Sequence, residues 1–167
     1  MSRQAVFLDR DGTVLEDTGY LADPATVRLV SGAIEALRAL RDRGYLLVLV
    51  SNQSGVARGL ITPAQADAVH ARLLVELDRH GIALDDVRYC PHAPTARCPC
   101  RKPEPGMILA SAEALEIDLG SSFLVGDSPE DAGAGKAAGV RTVILGTDAR
   151  DWGEALRTID ERSRERA

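Results

Sequence analysis

The sequence predicts an α/β fold, an open and mainly parallel sheet with helices on both faces. Short apolar runs alternate with helical patterns along the chain, which is the order of elements in parallel βαβ units. Polar and acidic residues directly follow several of the apolar runs, as they do where strands end at a ligand-binding edge. With 167 residues, 45% of them apolar, we expect a single domain over residues 1–167.

The N-terminal half is predicted to contain two strands and two helices. Residues 5–8 are all apolar and form the first strand, and the irregular segment 10–31 follows with its glycines and a proline. Apolar residues three positions apart and a closing glycine define a helix over 34–44. Five consecutive apolar residues make a second strand at 46–50. A Thr-Pro pair, suited to an N-cap and first turn, then begins a helix over 62–81.

The C-terminal half repeats this alternation. A short strand at 87–89 leads into a loop rich in cysteine, and a helix over about 106–115 follows. The apolar residues 123–125 form a strand that ends in a Gly-Asp pair, and the alanine-rich segment 131–138 is predicted to be a short helix. A last strand covers 140–145. This alternation of strands and helices is typical of a Rossmann-like sheet.

Composition and charge exclude several classes of function. The net charge of −5 and the dispersed basic residues argue against a nucleic-acid-binding surface. No run approaches the roughly 18 apolar residues of a membrane span, and no secretory leader is visible at the N-terminus. We therefore expect a cytoplasmic protein without membrane or nucleic-acid partners, and a monomer. Residues 151–167 are expected to be a charged surface helix that frays into a tail.

The most informative motif directly follows the first strand. It reads Asp9, Arg10, Asp11, Gly12 and Thr13, so two carboxylates lie one residue apart at a strand end. Both can approach one centre, which suits a divalent cation and an electrophilic phosphorus atom. The alternative is an ordinary solvated turn, and the five-residue pattern after an apolar strand makes that alternative the weaker one.

This motif resembles the first signature of the haloacid dehalogenase-like superfamily of phosphotransferases, Asp-x-Asp-Gly-Thr. The resemblance implies that Asp9 attacks phosphorus to form an aspartyl phosphate and that Asp11 acts as general acid and base. It also implies a catalytic Mg²⁺ bound by the Asp9 side chain and the backbone carbonyl of Asp11. The connections after the first two strands are too short for a cap domain, so a capless member with an open crevice is expected.

Two further segments are expected to face the reacting phosphate, and the first of them resembles the second motif of this superfamily. Ser51 follows the second strand, where the superfamily places a hydroxyl that contacts the transferring phosphoryl group. The basic pair Arg101 and Lys102 is either solvated surface or part of the site. A rigid loop before Pro103 could hold the Lys102 ammonium over the nucleophile and the phosphate, and Arg101 could bind a second substrate group. The residues expected to face the substrate after the second strand are Ser51, Asn52, Gln53 and Ser54.

The Gly-Asp pair after the fourth predicted strand resembles the last superfamily motif. Asp127 is the expected third Mg²⁺ ligand, since the ion needs another hard oxygen across the crevice. Ser128 is expected to contact the substrate. Three roles remain open for Asp131: it can bind metal through water, hold Lys102 or cap the next helix.

A second metal site is predicted in the loop after the third strand. Three thiolates and one imidazole make a closed tetrahedral set of the kind that binds structural Zn²⁺, and all three cysteines of the chain lie within it. His70 and His80 are expected to be solvated or to face a helix dipole instead. The predicted zinc ligands are Cys90, His92, Cys98 and Cys100.

The zinc loop narrows the resemblance further. Residues 90–103 and the segment 51–59 are similar to the D-glycero-D-manno-heptose 1,7-bisphosphate 7-phosphatases, over about residues 4–146. This resemblance implies that a small phosphorylated sugar loses its 7-phosphate and leaves the anomer open. The residues it implies on the sugar side are Asp17, Thr18, Gly19 and Tyr20. The alternatives are a phosphatase for histidinol phosphate or another small phosphomonoester, and a zinc-stabilised interaction module without activity.

Overall fold

The computed structural model describes residues 3–165, in which five strands and five α-helices alternate as predicted. The strands are β1 (Ala5–Leu8), β2 (Leu46–Asn52), β3 (Asp86–Cys90), β4 (Phe123–Gly126) and β5 (Arg141–Ile144). The helices are α1 (Ala33–Asp42), α2 (Pro63–Arg79), α3 (Gly106–Leu115), α4 (Pro129–Ala138) and α5 (Trp152–Arg164). Short 3₁₀ helices cover Pro24–Thr26, Pro94–Ala96 and Leu119–Ser121.

The strands form one parallel sheet in the order β3-β2-β1-β4-β5. The strand order reverses direction between β1 and β4, which are neighbours although more than a hundred residues separate them in the chain. At such a reversal the loops leaving the two strands diverge and open a crevice. The predicted parallel α/β sheet is confirmed, and the loops after β1 and β4 lie on opposite sides of that crevice.

Both faces of the sheet are covered by helices. Along β1, Val6 and Leu8 pack on the face covered by α1, α2 and α5, whereas Ala5 and Phe7 pack on the face covered by α3 and α4. All four side chains are fully buried. A strand buried on both faces reads as a continuous apolar run, which explains why β1 shows no polar alternation in the sequence.

Two helices differ from their predicted form. The fourth helix begins at Pro129 and not at Asp131, because the Ser128 hydroxyl accepts from the Asp131 backbone N–H and caps the first turn. The last helix is more than a solvated surface element, since its Trp152, Ala155 and Ile159 side chains are buried in the core. The end of the predicted tail, residues 166 and 167, lies outside the described residues.

The connections after β1 and β2 hold no separate domain. The first contains one 3₁₀ turn, Pro24–Thr26, and isolated bridges, and the second is a loop that leads directly into α2. The carboxyl edge of the sheet is therefore left open, as expected for a fold without a cap. Within residues 3–165, no helix is both long enough and apolar enough to span a membrane.

Candidate active site

Two carboxylates from neighbouring strands meet at the crevice. Asp9 directly follows β1 and Asp127 directly follows β4, and their oxygens lie within 4.8 Å of one another and of an oxygen of Asp131. The approach depends on Gly12, which has a φ of +80°. A Cβ atom at this position would lie 1.9 Å from Asp127 Oδ2, so only glycine lets the loop after β1 pass this close.

A buried lysine joins the carboxylates. Lys102 Nζ donates to Asp9 Oδ1 at 2.7 Å, to Asp131 Oδ1 at 2.6 Å and to the carbonyl oxygen of Val50 at 2.8 Å. These bonds use all three N–H groups of the ammonium. The side chain is only 3% exposed, so the charge is held in one position by its partners and not by water.

Asn52, at the end of β2, fixes the backbone of this lysine. Its Nδ2 donates to the carbonyl oxygen of Lys102 at 3.0 Å, and its Oδ1 accepts from the Lys102 N–H at 3.0 Å. The Asn52 side-chain amide thus provides the two backbone hydrogen bonds that Lys102, as a loop residue, does not receive from a neighbouring strand. Asn52 was predicted to face the substrate. It does line the cavity described below, but its amide is occupied by Lys102.

Asp131 takes two of the three roles that the sequence leaves open. Its Oδ1 holds Lys102, and its Oδ2 accepts from the Ser128 hydroxyl at 2.8 Å and from the backbone N–H groups of Asp127 and Ser128. The residue is fully buried. It therefore orients the lysine and fixes the first turn of α4, and through that turn the position of Asp127.

The cluster around Lys102 contains more negative than positive groups. Burial raises the pKa of Asp9 to about 8, against the opposing effect of the Lys102 ammonium. Burial likewise raises the pKa of Asp127. Desolvation opposes the charge on Lys102, but attraction by Asp9 and Asp131 outweighs it and raises the lysine pKa. One ammonium among three carboxylates leaves room for a further cation.

Asp11 is held from two sides. The guanidinium of Arg10 donates from Nε to Asp11 Oδ1 at 2.9 Å and from Nη2 to Oδ2 at 3.0 Å. Gln53 Nε2 donates to Asp11 Oδ2 at 3.0 Å and to the Ser51 hydroxyl oxygen at 2.7 Å. Ser51 is itself almost fully buried. The carboxylate of Asp11 remains 22% exposed, on the side that faces the crevice.

These residues surround an open cavity of about 370 Å³. Most of the predicted site residues line it, whereas Ser51 and Thr18 are not among the lining residues. Gly55 and Glu130 line it without having been predicted. The lining residues are Asp9, Asp11, Asp17, Gly19, Tyr20, Asn52, Gln53, Ser54, Gly55, Arg101, Lys102, Asp127, Ser128 and Glu130.

The rim of the cavity is built by two loops in contact. Arg58 Nη1 donates to the Tyr20 hydroxyl at 2.9 Å, and a Cβ atom at Gly55 would lie 2.6 Å from the Tyr20 ring. The small residue at position 55 thus allows the two loops to pack. On the opposite side, Arg101 lines both this cavity and an adjoining one of about 690 Å³ that reaches the cysteine loop. Its Nη1 is buried without a hydrogen-bond partner.

The predicted zinc ligands converge in that loop. Cys90 Sγ lies 3.5 Å from Cys98 Sγ and 3.2 Å from Cys100 Sγ, and His92 Nδ1 lies 3.2–3.3 Å from the sulfurs of Cys90 and Cys100. Four tetrahedral donors around one zinc ion are about 3.3–3.8 Å apart. Burial raises the pKa of Cys90 to about 12. For Cys98, desolvation opposes ionisation, but hydrogen bonds from Arg101 and Cys100 outweigh it and lower the pKa to about 6.

For two residues near the site, the sequence did not predict the environment: His70 was assigned a different one, and the contacts of Arg10 were not predicted. His70 was expected to be solvated or to face a helix dipole, but it is buried against Arg10 and stacks on Tyr89. Arg10 was read only as part of the motif, although it is fully buried and contacts Asp11. Neither position carries a local signal, because both depend on how α2 packs against the loop after β1. His80, by contrast, is exposed at the C-terminal end of α2, as expected.

The chain resembles known proteins in sequence over nearly its whole length. It is 41% identical over 169 residues to a Vibrio cholerae protein named D-glycero-beta-D-manno-heptose-1,7-bisphosphate 7-phosphatase, covering 95% of this chain and 91% of the relative. An Escherichia coli K12 protein of the same name is 42% identical over 148 residues, covering 84% of this chain and 78% of the relative. The chain belongs to the heptose 1,7-bisphosphate phosphatase family.

Other comparisons agree with this family assignment. The model of the HAD-hydrolase-like family matches residues 99–163. The crystal structure of D,D-heptose 1,7-bisphosphate phosphatase from B. bronchiseptica, complexed with magnesium and phosphate, superposes with a TM-score of 0.85 at 29% identity, covering 95% of this chain and 99% of that one. A putative HAD-like phosphatase from Mesorhizobium loti gives 0.82 at 33% identity, covering 96% and 87%. The predicted capless haloacid dehalogenase-like fold of this phosphatase family is confirmed.

Proposed function

We propose that the protein is a Mg²⁺-dependent phosphatase that removes the 7-phosphate of D-glycero-D-manno-heptose 1,7-bisphosphate and leaves the 1-phosphate. The observation that carries the proposal is the contact of Lys102 with Asp9, opposite Asp127, in an open cavity. Phosphoryl transfer needs a nucleophile, a fixed cation and metal ligands close together, and this cluster supplies all three. The names of the relatives at 41–42% identity supply the substrate.

In the first step, a carboxylate oxygen of Asp9 attacks the phosphorus of the 7-phosphate. A bond forms between Asp9 and phosphorus while the bond to the C7 oxygen breaks, and Asp11 gives its proton to that leaving oxygen. The Lys102 ammonium is close enough to Asp9 to neutralise oxygens of the transferring group. Ser51 does not line the cavity and is almost fully buried, but its Oγ accepts from Gln53, so we keep its hydrogen as the proposed donor to a phosphoryl oxygen.

In the second step, Asp11 takes a proton from water, and the water oxygen attacks the phosphorus of the aspartyl phosphate. The bond between phosphorus and Asp9 breaks, which releases inorganic phosphate, restores the Asp9 carboxylate and leaves Asp11 protonated for the next cycle. Asp11 is suited to this exchange because it is held by Arg10 and Gln53 yet remains partly exposed at the cavity. The open crevice gives water access to the intermediate.

The carboxylate cluster fits Mg²⁺. Its hard oxygen ligands are the kind that Mg²⁺ prefers, and a divalent cation would offset the negative charge that one lysine leaves uncompensated. Asp9 and Asp127 would hold the ion with their side chains and Asp11 with its backbone carbonyl. When bound, Mg²⁺ would neutralise charge on the phosphoryl group. A relative in the same fold was crystallised with magnesium and phosphate, which supports this assignment.

The cysteine loop fits a structural Zn²⁺. Cys90, His92, Cys98 and Cys100 provide four donors that lie slightly closer together than, or at, tetrahedral spacing, and they leave no position open for a substrate. A cation among them would stabilise the thiolates that burial disfavours at Cys90. We propose that the ion fixes the loop from which Arg101 and Lys102 reach the active-site cavity.

The sugar and its second phosphate would be recognised by the loops around the cavity. Arg101 has a buried, unpartnered Nη1, which suits an anionic substrate group. Asp17, Gly19 and Tyr20 line the opposite rim. Thr18 does not line the cavity, but it lies between Asp17 and Gly19, which do. Ser54 and Ser128 line the cavity and would supply polar contacts to the substrate. We propose the β-anomer, because the curated relatives carry it in their names.

The oligomeric state, the location and the domain extent also belong to this proposal. We propose a monomer that works in the cytoplasm as one domain over residues 1–167, with a small phosphorylated sugar as its partner. An inactive interaction module is the less supported alternative. A module would not need Asp9, Asp11, Lys102 and Asp127 around one cavity.

The decisive experiment compares catalytic efficiency on four substrates. Purified protein with Mg²⁺ is assayed for phosphate release from α- and β-heptose 1,7-bisphosphate, histidinol phosphate and a generic phosphomonoester. The β-bisphosphate should give the highest kcat/KM, and ³¹P NMR should show that the anomeric phosphate remains on the product. A higher kcat/KM on histidinol phosphate would replace the proposed substrate by the alternative one.

A further inference from the structure

Arg10 is a buried residue that lies between the proposed catalytic residues Asp9 and Asp11 in the sequence. The side chain is fully buried although it carries a permanent charge. Its Nε and Nη2 atoms form the fork that holds Asp11, and Nη2 also donates to Gln53 Oε1 at 3.1 Å. The remaining contact of the guanidinium is made by Nη1, on the edge that faces away from Asp11. The partner of Nη1 therefore affects how well the guanidinium is fixed in the orientation that binds Asp11.

The partner on that edge is His70 of α2. Arg10 Nη1 lies 3.5 Å from His70 Nε2, and the other ring nitrogen, Nδ1, lies 2.8 Å from the Ala66 carbonyl oxygen. A carbonyl oxygen can only accept, so Nδ1 must carry a hydrogen. In the neutral ring Nε2 then has a free lone pair, which is the acceptor that the guanidinium needs. The tautomer of His70 is thus dictated by its two neighbours.

The ring of His70 is also fixed in orientation. It stacks on Tyr89 with ring centres 4.9 Å apart and an angle of 16° between the planes. The Tyr89 hydroxyl donates to Asp67 Oδ1 at 3.1 Å, so the stacking partner is itself anchored to α2. Burial lowers the pKa of His70, and the positive charge of Arg10 lowers it further. Both effects keep the ring neutral and able to accept.

We propose that His70 is a positioning residue for the phosphatase reaction. By accepting from Nη1, it fixes the guanidinium of Arg10, and the guanidinium in turn aims the carboxylate of Asp11 at the cavity. Without this acceptor a buried donor would be left unpaired, and the guanidinium would turn to find another partner. This inference rests on the proposed function, in which Asp11 moves the proton to the leaving oxygen and from water.

Two substitutions test the role by activity. His70→Leu removes the acceptor and should lower kcat at least about tenfold while KM changes less than about twofold, because misplaced catalytic groups affect the chemical step. His70→Gln can present an oxygen near the position of Nε2 and should recover most of kcat. The matched control is Val69→Ala, which removes a buried side chain from the same helix. It should lower thermal stability without lowering kcat at assay temperature.

A measurement on the unmodified protein tests the tautomer. The chain has three histidines, so long-range ¹H–¹⁵N NMR spectra of the wild type and His70→Gln identify the ring signals of His70. We expect a protonated Nδ1 and an unprotonated Nε2. Protonated Nε2 in a neutral ring would overturn the proposal, since it could not accept from Arg10.

The outcome also separates this inference from the proposed function. If Asp11→Asn abolishes turnover but His70→Leu keeps the wild-type kcat, His70 has no positioning role and the proposed function stands. If Asp11→Asn itself remains active, the proposed role of Asp11 fails together with the inference. Equal losses of kcat in His70→Leu and Val69→Ala would show a merely structural role and contradict the proposal.

Discussion

The ammonium of Lys102 and the carboxylate of Asp9 form an ion pair of 2.7 Å, although 93 residues separate them in the chain. The lysine comes from the loop that follows the cysteine cluster, and the aspartate from the end of β1. The lysine side chain is only 3% exposed and that of Asp9 12%, and Asp131 holds the lysine from its other side. Asp9, the cysteine loop and α4 are therefore joined through one buried nitrogen atom.

Removing this nitrogen should affect both stability and activity. Lys102→Met leaves two buried carboxylates without their cation, which should lower the free energy of unfolding by about 3–5 kcal/mol. Turnover should be lost as well. Urea unfolding and phosphate release measure the two effects. The control is Lys136→Met on the exposed side of α4, which should change neither, and a Lys102→Met protein as stable as the wild type would contradict the buried ion-pair assignment.

Arg101 should matter more for the bisphosphate than for a generic substrate. Its Nη1 is buried and has no hydrogen-bond partner, so we expect it to bind the non-reacting phosphate. Arg101→Ala should lower kcat/KM for the heptose bisphosphate by about 10–100-fold, the loss typical of one charged hydrogen bond. Arg97→Ala, which lines only the adjoining cavity, is the control. Equal losses on both substrates would remove Arg101 from the recognition of the second phosphate.

The cysteine loop should hold about one zinc ion per chain after gel filtration. Two histidine substitutions form a matched test. His92→Asn should lose the metal, unfold at a lower temperature and lose activity, because Arg101 and Lys102 extend from the same loop. His80→Asn, at the end of α2, should keep the zinc content of the wild type. A fully active protein with reduced cysteines and no zinc would rule out a structural site.

His70 gives the stability of the protein a pH dependence. Its pKa is lowered by burial and by Arg10, with weaker opposing effects from the Ala66 carbonyl, Asp11 and Asp67. The unfolded chain, with a histidine pKa near 6.5, therefore binds the proton first as the pH falls. This contribution to stability is complete above the unfolded pKa and decreases as the pH falls through it toward the folded value.

The measurement is the free energy of unfolding in urea between pH 7.5 and pH 5.5. The wild type should lose more stability than His70→Gln over this interval, because only the wild type takes up a proton at position 70 on unfolding. Parallel curves for the two proteins would show that His70 is not buried in its neutral form.

The sheet and most of the cavity were predictable because their signals are local. The apolar run of β1 and the carboxylates after it are adjacent in sequence, and parallel strands bring their carboxyl ends to one edge. Asp9 and Asp127 could therefore be paired across the crevice before the structure was known. The four predicted zinc ligands lie within eleven residues, so their convergence could be expected without knowledge of the sheet.

The contacts that the sequence did not predict are made between side chains from distant parts of the chain. The choice among three roles for Asp131 is made by Lys102, which arrives from a loop outside the Asp131 segment. The burial of His70 depends on the packing of α2 against Arg10 and Tyr89. Trp152 likewise fixes the motif loop, since its Nε1 donates to the Thr13 carbonyl oxygen at 2.8 Å from the far end of the chain. No periodicity in the sequence encodes such distances.

The central claim is that the carboxylate of Asp9 attacks phosphorus, and Asp9→Asn tests it most directly. The amide keeps the shape of the side chain but is a poor nucleophile and a weaker ligand for Mg²⁺. Phosphate release from the heptose bisphosphate is compared between the variant and the wild type at saturating Mg²⁺, with thermal unfolding to verify the fold. We expect a folded protein whose turnover is at least about a thousandfold lower, as when other covalent nucleophiles are removed. Phosphate release close to the wild-type rate from folded Asp9→Asn protein would contradict the mechanism.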